Sequence, residues 1–188
     1  FGDPAVEPLA ALLATPEVAL RRLAVGALER TTSSRAFPAL TAALRDPDEE
    51  VRHRAALALA AIGAPGAHEA LLARLEDPDG AVRMDVFAAL AGLGSPEVLK
   101  RAPELLAAES YWTRSSALAA LGTLGSEAGI PLAVSALNDE EPWVRQEAVI
   151  TLLRIGSPAA RSALEAMADD PDYEVRIYAA EVLDRLQA

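Results

Sequence analysis

The sequence predicts an all-α fold, a solenoid built from six repeats of two helices each. Three observations lead to this prediction. A set of residues recurs with a fixed period of 31, apolar residues follow helical spacing within each copy, and aromatic residues make up only 4% of the 188 residues. Small side chains favour closely packed helices over sheets, in which β-branched and aromatic residues are enriched.

The repeat is clearest at an arginine that recurs six times at intervals of 31 residues. These arginines are Arg21, Arg52, Arg83, Arg114, Arg145 and Arg176. A leucine follows seven residues later in every copy, and an aspartate keeps the same step at Asp46, Asp77, Asp139 and Asp170. We therefore predict one solenoid domain over residues 1–188, with repeats at approximately 1–31, 32–62, 63–93, 94–124, 125–155 and 156–188.

Each copy is predicted to hold two helices, as the third repeat illustrates. Apolar residues recur at helical spacing over residues 67–77 and again over 80–93. The Asp-Pro-Asp turn over residues 77–79 separates them, because Asp is a good N-cap and Pro suits a first helical turn. Gly94 is predicted to end the second helix as a C-terminal glycine. Neither helix could bury its apolar face alone, so the pairs must stack.

Residues 46–63 follow the pattern Asp-Pro-Asp-x-x-Val-Arg-x-x-Ala-x-x-Ala-Leu-x-x-Ile-Gly. This pattern resembles the short HEAT-like repeat of the phycobilisome-lyase type, and the resemblance covers essentially the whole chain. It implies a right-handed superhelix. It also implies that the six arginines pair with turn aspartates of their own or a neighbouring repeat, as a structural ladder and not an anion site. The fourth repeat departs from the pattern, with Ala108-Glu109 in place of Asp-Pro.

Composition argues against several classes of function. The net charge of −11 disfavours nucleic-acid binding, which needs Lys and Arg to replace phosphate counterions. The longest charge-free run, residues 55–67, is shorter than the roughly 20 residues of a spanning helix, so no membrane contact is expected. Cysteine is absent, which suits a reducing compartment, and we expect a cytoplasmic protein.

Catalytic and metal chemistry have little support in the sequence. The only histidines, His53 and His68, fall in different repeats, too few to surround a metal pair like that of the hydroxylase built on HEAT-like repeats. Ser115 and Ser116 lack a histidine at the matching place in neighbouring repeats that could take a proton. We therefore predict that the chain is not an enzyme and that it binds neither a cofactor nor a metal.

The second helices carry variable positions that folding does not explain, and the resemblance implies that these helices line a concave surface. Both tryptophans and all three tyrosines of the chain fall in this set. Such side chains are enriched at interface hot spots. The predicted partner-binding residues are Tyr111, Trp112, Ser115, Trp143, Gln146, Glu147, Arg154, Tyr173, Ile177, Tyr178 and Glu181. The alternative is that the aromatic rings only cover the stacked helices.

The leading hypothesis is a non-catalytic scaffold that binds a protein or peptide, and acidic residues among the aromatics favour a basic ligand. The alternative is a bilin lyase or bilin-binding chaperone, and a nucleic-acid repair module is disfavoured by charge. An idealised consensus-derived binder is disfavoured by the drift between copies. We expect a monomer, or weak self-association through the solenoid ends. Gly2-Asp3-Pro4 is typical of the end of an inter-repeat turn, and the sequence leaves open whether the chain is a fragment of a longer protein.

Overall fold

The computed structural model describes residues 3–31, 33–156, 158 and 161–185, so Gly2 of the predicted first turn lies outside the described residues. This part of the chain forms twelve α-helices and no strand, which confirms the all-α class. The chain divides into two compact units, Phe1–Leu93 and Gly94–Ala188, and the division falls at a predicted repeat boundary in the sequence. That all six repeats form one domain stays a prediction.

The first unit contains three helix pairs, and in each pair a short helix precedes a longer one. Its helices are α1 (Val6–Leu12), α2 (Val18–Glu29), α3 (Phe37–Ala43), α4 (Glu49–Ile62), α5 (Ala67–Leu72) and α6 (Gly80–Gly92). The long second helices pack side by side in the order α2, α4 and α6, and each also packs against the first helix of its own pair.

The second unit repeats this arrangement. Its helices are α7 (Glu97–Leu106), α8 (Tyr111–Leu124), α9 (Ile130–Ala136), α10 (Pro142–Ile155), α11 (Arg161–Ala166) and α12 (Tyr173–Arg185). The second helices α8, α10 and α12 again lie side by side, so α10 has a neighbouring second helix on each flank.

Local sequence signals set where the second helices begin and end. The carboxylates of Asp48 and Asp79 accept the backbone N–H groups of Val51 and Val82 at 3.2 and 3.0 Å, which satisfies a donor left free at each helix start. Four glycines adopt positive φ at or just beyond the ends of second helices, where a side chain would strain the backbone. These are Gly63, Gly94, Gly125 and Gly156, with φ of 58°, 72°, 65° and 72°.

The first helix of the third repeat is shorter than the sequence predicts. A helix was expected over residues 67–77, but α5 ends at Leu72. Beyond it the backbone N–H groups of Arg74 and Leu75 donate to carbonyls only three residues back, at 2.8 and 3.3 Å. This tighter winding ends the helix before the turn, and it leaves Asp77 free to serve in a different interaction.

The core of each unit forms between its first and second helices. The recurring leucine of the second helices is fully buried at Leu28, Leu59, Leu90, Leu121 and Leu152. Burying a leucine contributes about 1.5–3 kcal/mol, so the recurring leucine alone is a large part of each unit's stability. With this stripe fixed inward, the residues on the opposite side of each second helix are left exposed.

Candidate peptide-binding groove

The recurring arginines and aspartates form ion pairs between successive repeats. Four arginines each donate two hydrogen bonds to the aspartate 25 residues later, at donor–acceptor distances of 2.7 to 3.0 Å. The pairs are Arg21–Asp46, Arg52–Asp77, Arg114–Asp139 and Arg145–Asp170. Each of these arginines also donates to two backbone carbonyls of its own turn. Four of the five N–H donors of each guanidinium are therefore used within the fold, and its charge is already paired, which disfavours binding of an external anion.

Hydrogen bonding outweighs burial at these carboxylates. Burial by itself would raise the pKa of Asp170, but the hydrogen bonds from Arg145 and from the backbone N–H of Asp172 hold that pKa below its ordinary value. At Asp139, burial again raises the pKa, but hydrogen bonds, mainly from Arg114, hold the pKa below its ordinary value. The ladder is therefore a charged structural element that works only while the carboxylates are ionised.

The ladder is interrupted at Arg83. The residue 25 positions later is Ala108, so no carboxylate stands where the pattern would place one. Arg83 is exposed and keeps its two bonds to the carbonyls of Asp77 and Pro78, at 2.6 and 3.2 Å. No carboxylate among the described residues pairs with it. Arg83 thus shows what this arginine does without its aspartate.

The predicted binding residues place large side chains in solvent on α8, α10 and α12. Trp112, Trp143 and Tyr173 are 68%, 61% and 66% exposed. Tyr111, Tyr178, Ile177 and Glu181 are exposed as well. By contrast, Phe87 is 1% exposed and belongs to the core of the first unit. Rings that are more than half exposed contribute little to packing, and this weakens the alternative that the two tryptophans only cover the helices.

A groove of about 300 Å³ lies between α8 and α10. The repeat period matches its two walls, because each residue contributed by α8 stands 31 positions before one contributed by α10. The matched pairs are Trp112 with Trp143, Ser115 with Gln146, Ser116 with Glu147, and Ala119 with Ile150. The structure thus brings together five predicted residues, and it adds three that the prediction lacked. The predicted residues on α12 are not among those that line this groove.

The helices α8 and α10 pack closely next to the groove. A Cβ atom on Gly122 of α8 would lie 3.3 Å from Cα of Thr151 and 3.0 Å from Cδ of Arg154, both on α10. The buried Thr151 hydroxyl donates to the carbonyl oxygen of Leu118 at 2.8 Å. A small residue at 122 and a hydrogen bond between the helices therefore hold α8 and α10 in one separation.

Glu147 is the unusual group in this groove. Its side chain is 22% exposed, and its Oε1 atom is buried without a hydrogen-bond donor among the described residues. Nη1 of Arg154 lies 3.6 Å from that oxygen, close enough for charge attraction but too far for a hydrogen bond. Burial raises the pKa of Glu147, and Arg154 offsets part of that effect. The groove is therefore lined by a partly buried carboxylate with one oxygen that accepts no hydrogen bond from the described residues.

Sequence reasoning missed a second groove, of about 500 Å³, between α2 and α4. Leu23, which is 69% exposed, lines it together with Arg22 and Arg54. Leu23 stands two residues after Arg21, as Glu147 does after Arg145, so the same register could have identified it. The arginines here are already paired: Arg22 with Asp48 at 2.6 Å, and Arg54 with Glu50 at 2.6 Å.

The described residues hold no group of three or more His, Asp or Glu side chains arranged to bind a metal. His53 pairs with Asp85 in the first unit, whereas Ser115 and Ser116 lie in the second. Within the described part of the chain, no helix is long and apolar enough to cross a membrane.

The fold and the groove define a helical repeat protein whose second helices present side chains outward. The comparison with protein families specifies which repeat it is. The sequence matches HEAT repeats over residues 5–91, 37–112 and 99–184, and the chain belongs to this family. This confirms the family predicted from the sequence pattern, and the chain is a HEAT-like repeat scaffold. A comparison with curated proteins finds no match.

Solved structures agree with this assignment. The complex of CpcE and CpcF of phycocyanin lyase from Nostoc sp. PCC7120 is similar at a TM-score of 0.67 and 24% identity, over 97% of this chain and 77% of that chain. A designed armadillo repeat protein in complex with the peptide (KR)4 is similar at 0.69 and 21% identity, over 96% and 99%. The archaeal HEAT-like repeats protein from Thermococcus onnurineus NA1 is similar at 0.61 and 17%, over 99% and 88%. Likenesses at this identity show the fold alone.

Proposed function

We propose that this chain is a non-catalytic scaffold that binds a protein or peptide through the exposed faces of α8, α10 and α12. The observation that carries the proposal is the exposure of both tryptophans and all three tyrosines on three successive second helices, beside a groove of about 300 Å³. Exposed aromatics of this kind bury much area with few rotatable bonds, and that is why they dominate interface hot spots.

The dimensions of this surface fit an extended peptide. Packed helices lie about 8–10 Å apart, so three of them side by side span roughly 16–20 Å. An extended chain rises about 3.3 Å per residue, so this distance corresponds to about five or six residues. A peptide that crosses the three helices would advance by about three residues per repeat. One side chain of the peptide would then face each gap between helices.

A selection from a library of ten-residue random peptides displayed on phage tests this function. The native chain should enrich a shared motif of about six residues or fewer. The triple variant Trp112→Ala/Trp143→Ala/Tyr178→Ala should lose it, because the anchoring rings are gone. Leu23→Ala is the matched control, since it removes an exposed large side chain from the first unit and should leave the motif unchanged.

Circular dichroism should show that both the triple variant and the control keep the native helix content. Enrichment of the same motif by the folded triple variant would refute the proposed surface. The alternative predicted from the sequence, a bilin lyase or bilin-binding chaperone, has a separate test. A change in bilin absorbance on mixing with the chain, retained when the peptide motif is absent, would favour that alternative.

A further inference from the structure

The groove between α8 and α10 has the size of a site for one side chain. Binding pockets for small molecules and cofactors measure roughly 300–1,000 Å³, and this groove stands at the lower end of that range. The exposed rings of Trp112 and Trp143 form an apolar part of its walls. Polar groups capable of directed bonds, those of Ser115, Gln146 and Glu147, lie among its lining residues.

The chemistry of that side chain follows from Glu147. One oxygen of the Glu147 carboxylate is buried without a donor, which leaves this negative charge poorly solvated, and a cation that approaches the carboxylate from the groove offsets part of that cost. Arg154 does not supply it, because its Nη1 atom stays 3.6 Å away and its side chain is 48% exposed. An anionic ligand would face the like charge of Glu147, so the groove selects against it.

The positions of the two tryptophans add the second requirement. Trp143 precedes Glu147 by four residues on α10, so the ring and the carboxylate lie on one face of the helix, about one turn apart. Trp112 lines the same groove from α8. A side chain that enters past the rings must therefore be apolar or planar along its length and cationic at its end. The faces of indole rings also attract a cation directly.

We propose that this groove binds a single arginine side chain of the peptide, with its guanidinium paired to Glu147 and its stem against Trp112 and Trp143. This inference rests on the proposed function, and it assigns one position of the bound peptide. Arginine fits better than lysine because a guanidinium is planar, weakly hydrated and able to donate two parallel bonds to a carboxylate. Lysine would place a compact, strongly hydrated ammonium in a groove that is partly desolvated.

The two tryptophans provide the readout, because the chain has no others and both line the groove. Acetyl-arginine amide is titrated at low salt while the two indole N–H signals are followed by NMR. The native chain should show saturable shifts of both signals. Acetyl-citrulline amide, which has nearly the same shape without the charge, should bind about tenfold more weakly or not at all. Acetyl-lysine amide with a free side-chain amine should bind more weakly than the arginine probe.

Three variants separate the role of Glu147 from general charge. Glu147→Gln keeps the shape and should weaken arginine-probe binding about tenfold. Glu104→Gln removes a carboxylate of the first helix α7 that is 69% exposed and lies outside both the groove and the proposed surface, and it should leave the affinity unchanged. Arg154→Ala should tighten binding, because Arg154 competes for the charge of the same carboxylate. A purely structural role for Glu147 would not produce this gain.

The outcomes distinguish this inference from the proposed function. Equal binding of the citrulline probe, a preference for the lysine probe, or an unchanged affinity in Glu147→Gln would overturn the arginine site. If the displayed peptides are nevertheless enriched and depend on the tryptophans, the scaffold function stands without it. If the arginine probe binds as expected and no peptide is enriched, the site stands and the extended peptide surface is refuted.

Discussion

The strongest prediction concerns the ion-pair ladder, since the chain contains its own control. Arg145 donates to both carboxylate oxygens of Asp170 and to the carbonyls of Asp139 and Glu140. Arg176 makes the same pair of carbonyl bonds, to Asp170 and Pro171 at 2.6 and 3.1 Å, but no carboxylate among the described residues pairs with it. The two arginines belong to the same unit, and among the described residues only Arg145 pairs with an aspartate.

Arg145→Ala should therefore destabilise the chain far more than Arg176→Ala. The side chains of Arg145 and Asp170 are 9% and 4% exposed, and removal of one partner from a buried pair costs about 3–5 kcal/mol. Arg176→Ala loses two hydrogen bonds to carbonyls and a contact with the Tyr173 ring, whose centroid lies 5.6 Å away, for a total of about 1–2 kcal/mol.

Urea unfolding followed by far-UV circular dichroism measures the difference. With an m-value of about 2 kcal/mol per molar, the midpoint should fall by about 1.5–2.5 M in Arg145→Ala and by less than about 1 M in Arg176→Ala. The double variant Arg145→Ala/Asp170→Ala should cost less than the sum of the two single variants, because the pair is coupled. Equal losses at Arg145 and Arg176, or strict additivity, would refute the stabilising role of the aspartate.

Two further predictions concern pH and packing. Because the pKa values of Asp139 and Asp170 are lowered by folding, their contribution is present above the ordinary aspartate pKa of about 3.9 and is lost as the pH falls through the lower folded values. The urea midpoint of the native chain should drop steeply below about pH 4. Asp139→Asn should have a lower midpoint at neutral pH and a weaker dependence of the midpoint on pH. An equally steep pH dependence in Asp139→Asn would show that the Asp139 carboxylate does not cause it. Gly122→Val should lower the free energy of unfolding by about 1–3 kcal/mol, because the new side chain would meet Thr151 on α10. It should also shift the indole N–H signals of Trp112 and Trp143. No change in either measurement would show that the two helices can separate freely.

The sequence period was sufficient to predict the helix pairs and the buried side of every second helix. A residue that recurs in every repeat, such as Leu121, is needed for something that all the repeats share. Leu121 is buried, so the shared need is packing of the core. The length of α5, the one first helix for which bounds were predicted, was overestimated. Residues 73–77 continue a helical apolar pattern, but the turn must place the Asp77 carboxylate beside Arg52, and this long-range bond overrides the local preference.

Five of the eight residues that line the candidate groove belong to the predicted set, but the chemistry of the groove was not predicted. The register identified Trp112, Trp143 and Glu147 as variable surface residues. It could not show that the Glu147 carboxylate lacks a donor, because that depends on how far Arg154 reaches over Gly122 on the neighbouring helix. Distances between side chains of different repeats follow from packing in three dimensions, and a single sequence does not encode them in any local pattern.

The ladder also bears on how such a chain can change its length during evolution. A repeat of this kind contributes an arginine that pairs with the aspartate of the next repeat, and an aspartate that pairs with the arginine of the previous repeat. If one 31-residue segment is duplicated or deleted, the repeats on either side of the new junction still carry a matching arginine and aspartate. The new junction forms the same bidentate pair as the old one. Copy number can therefore drift at little cost in stability, while each duplicated second helix supplies a fresh surface on which new recognition can be selected.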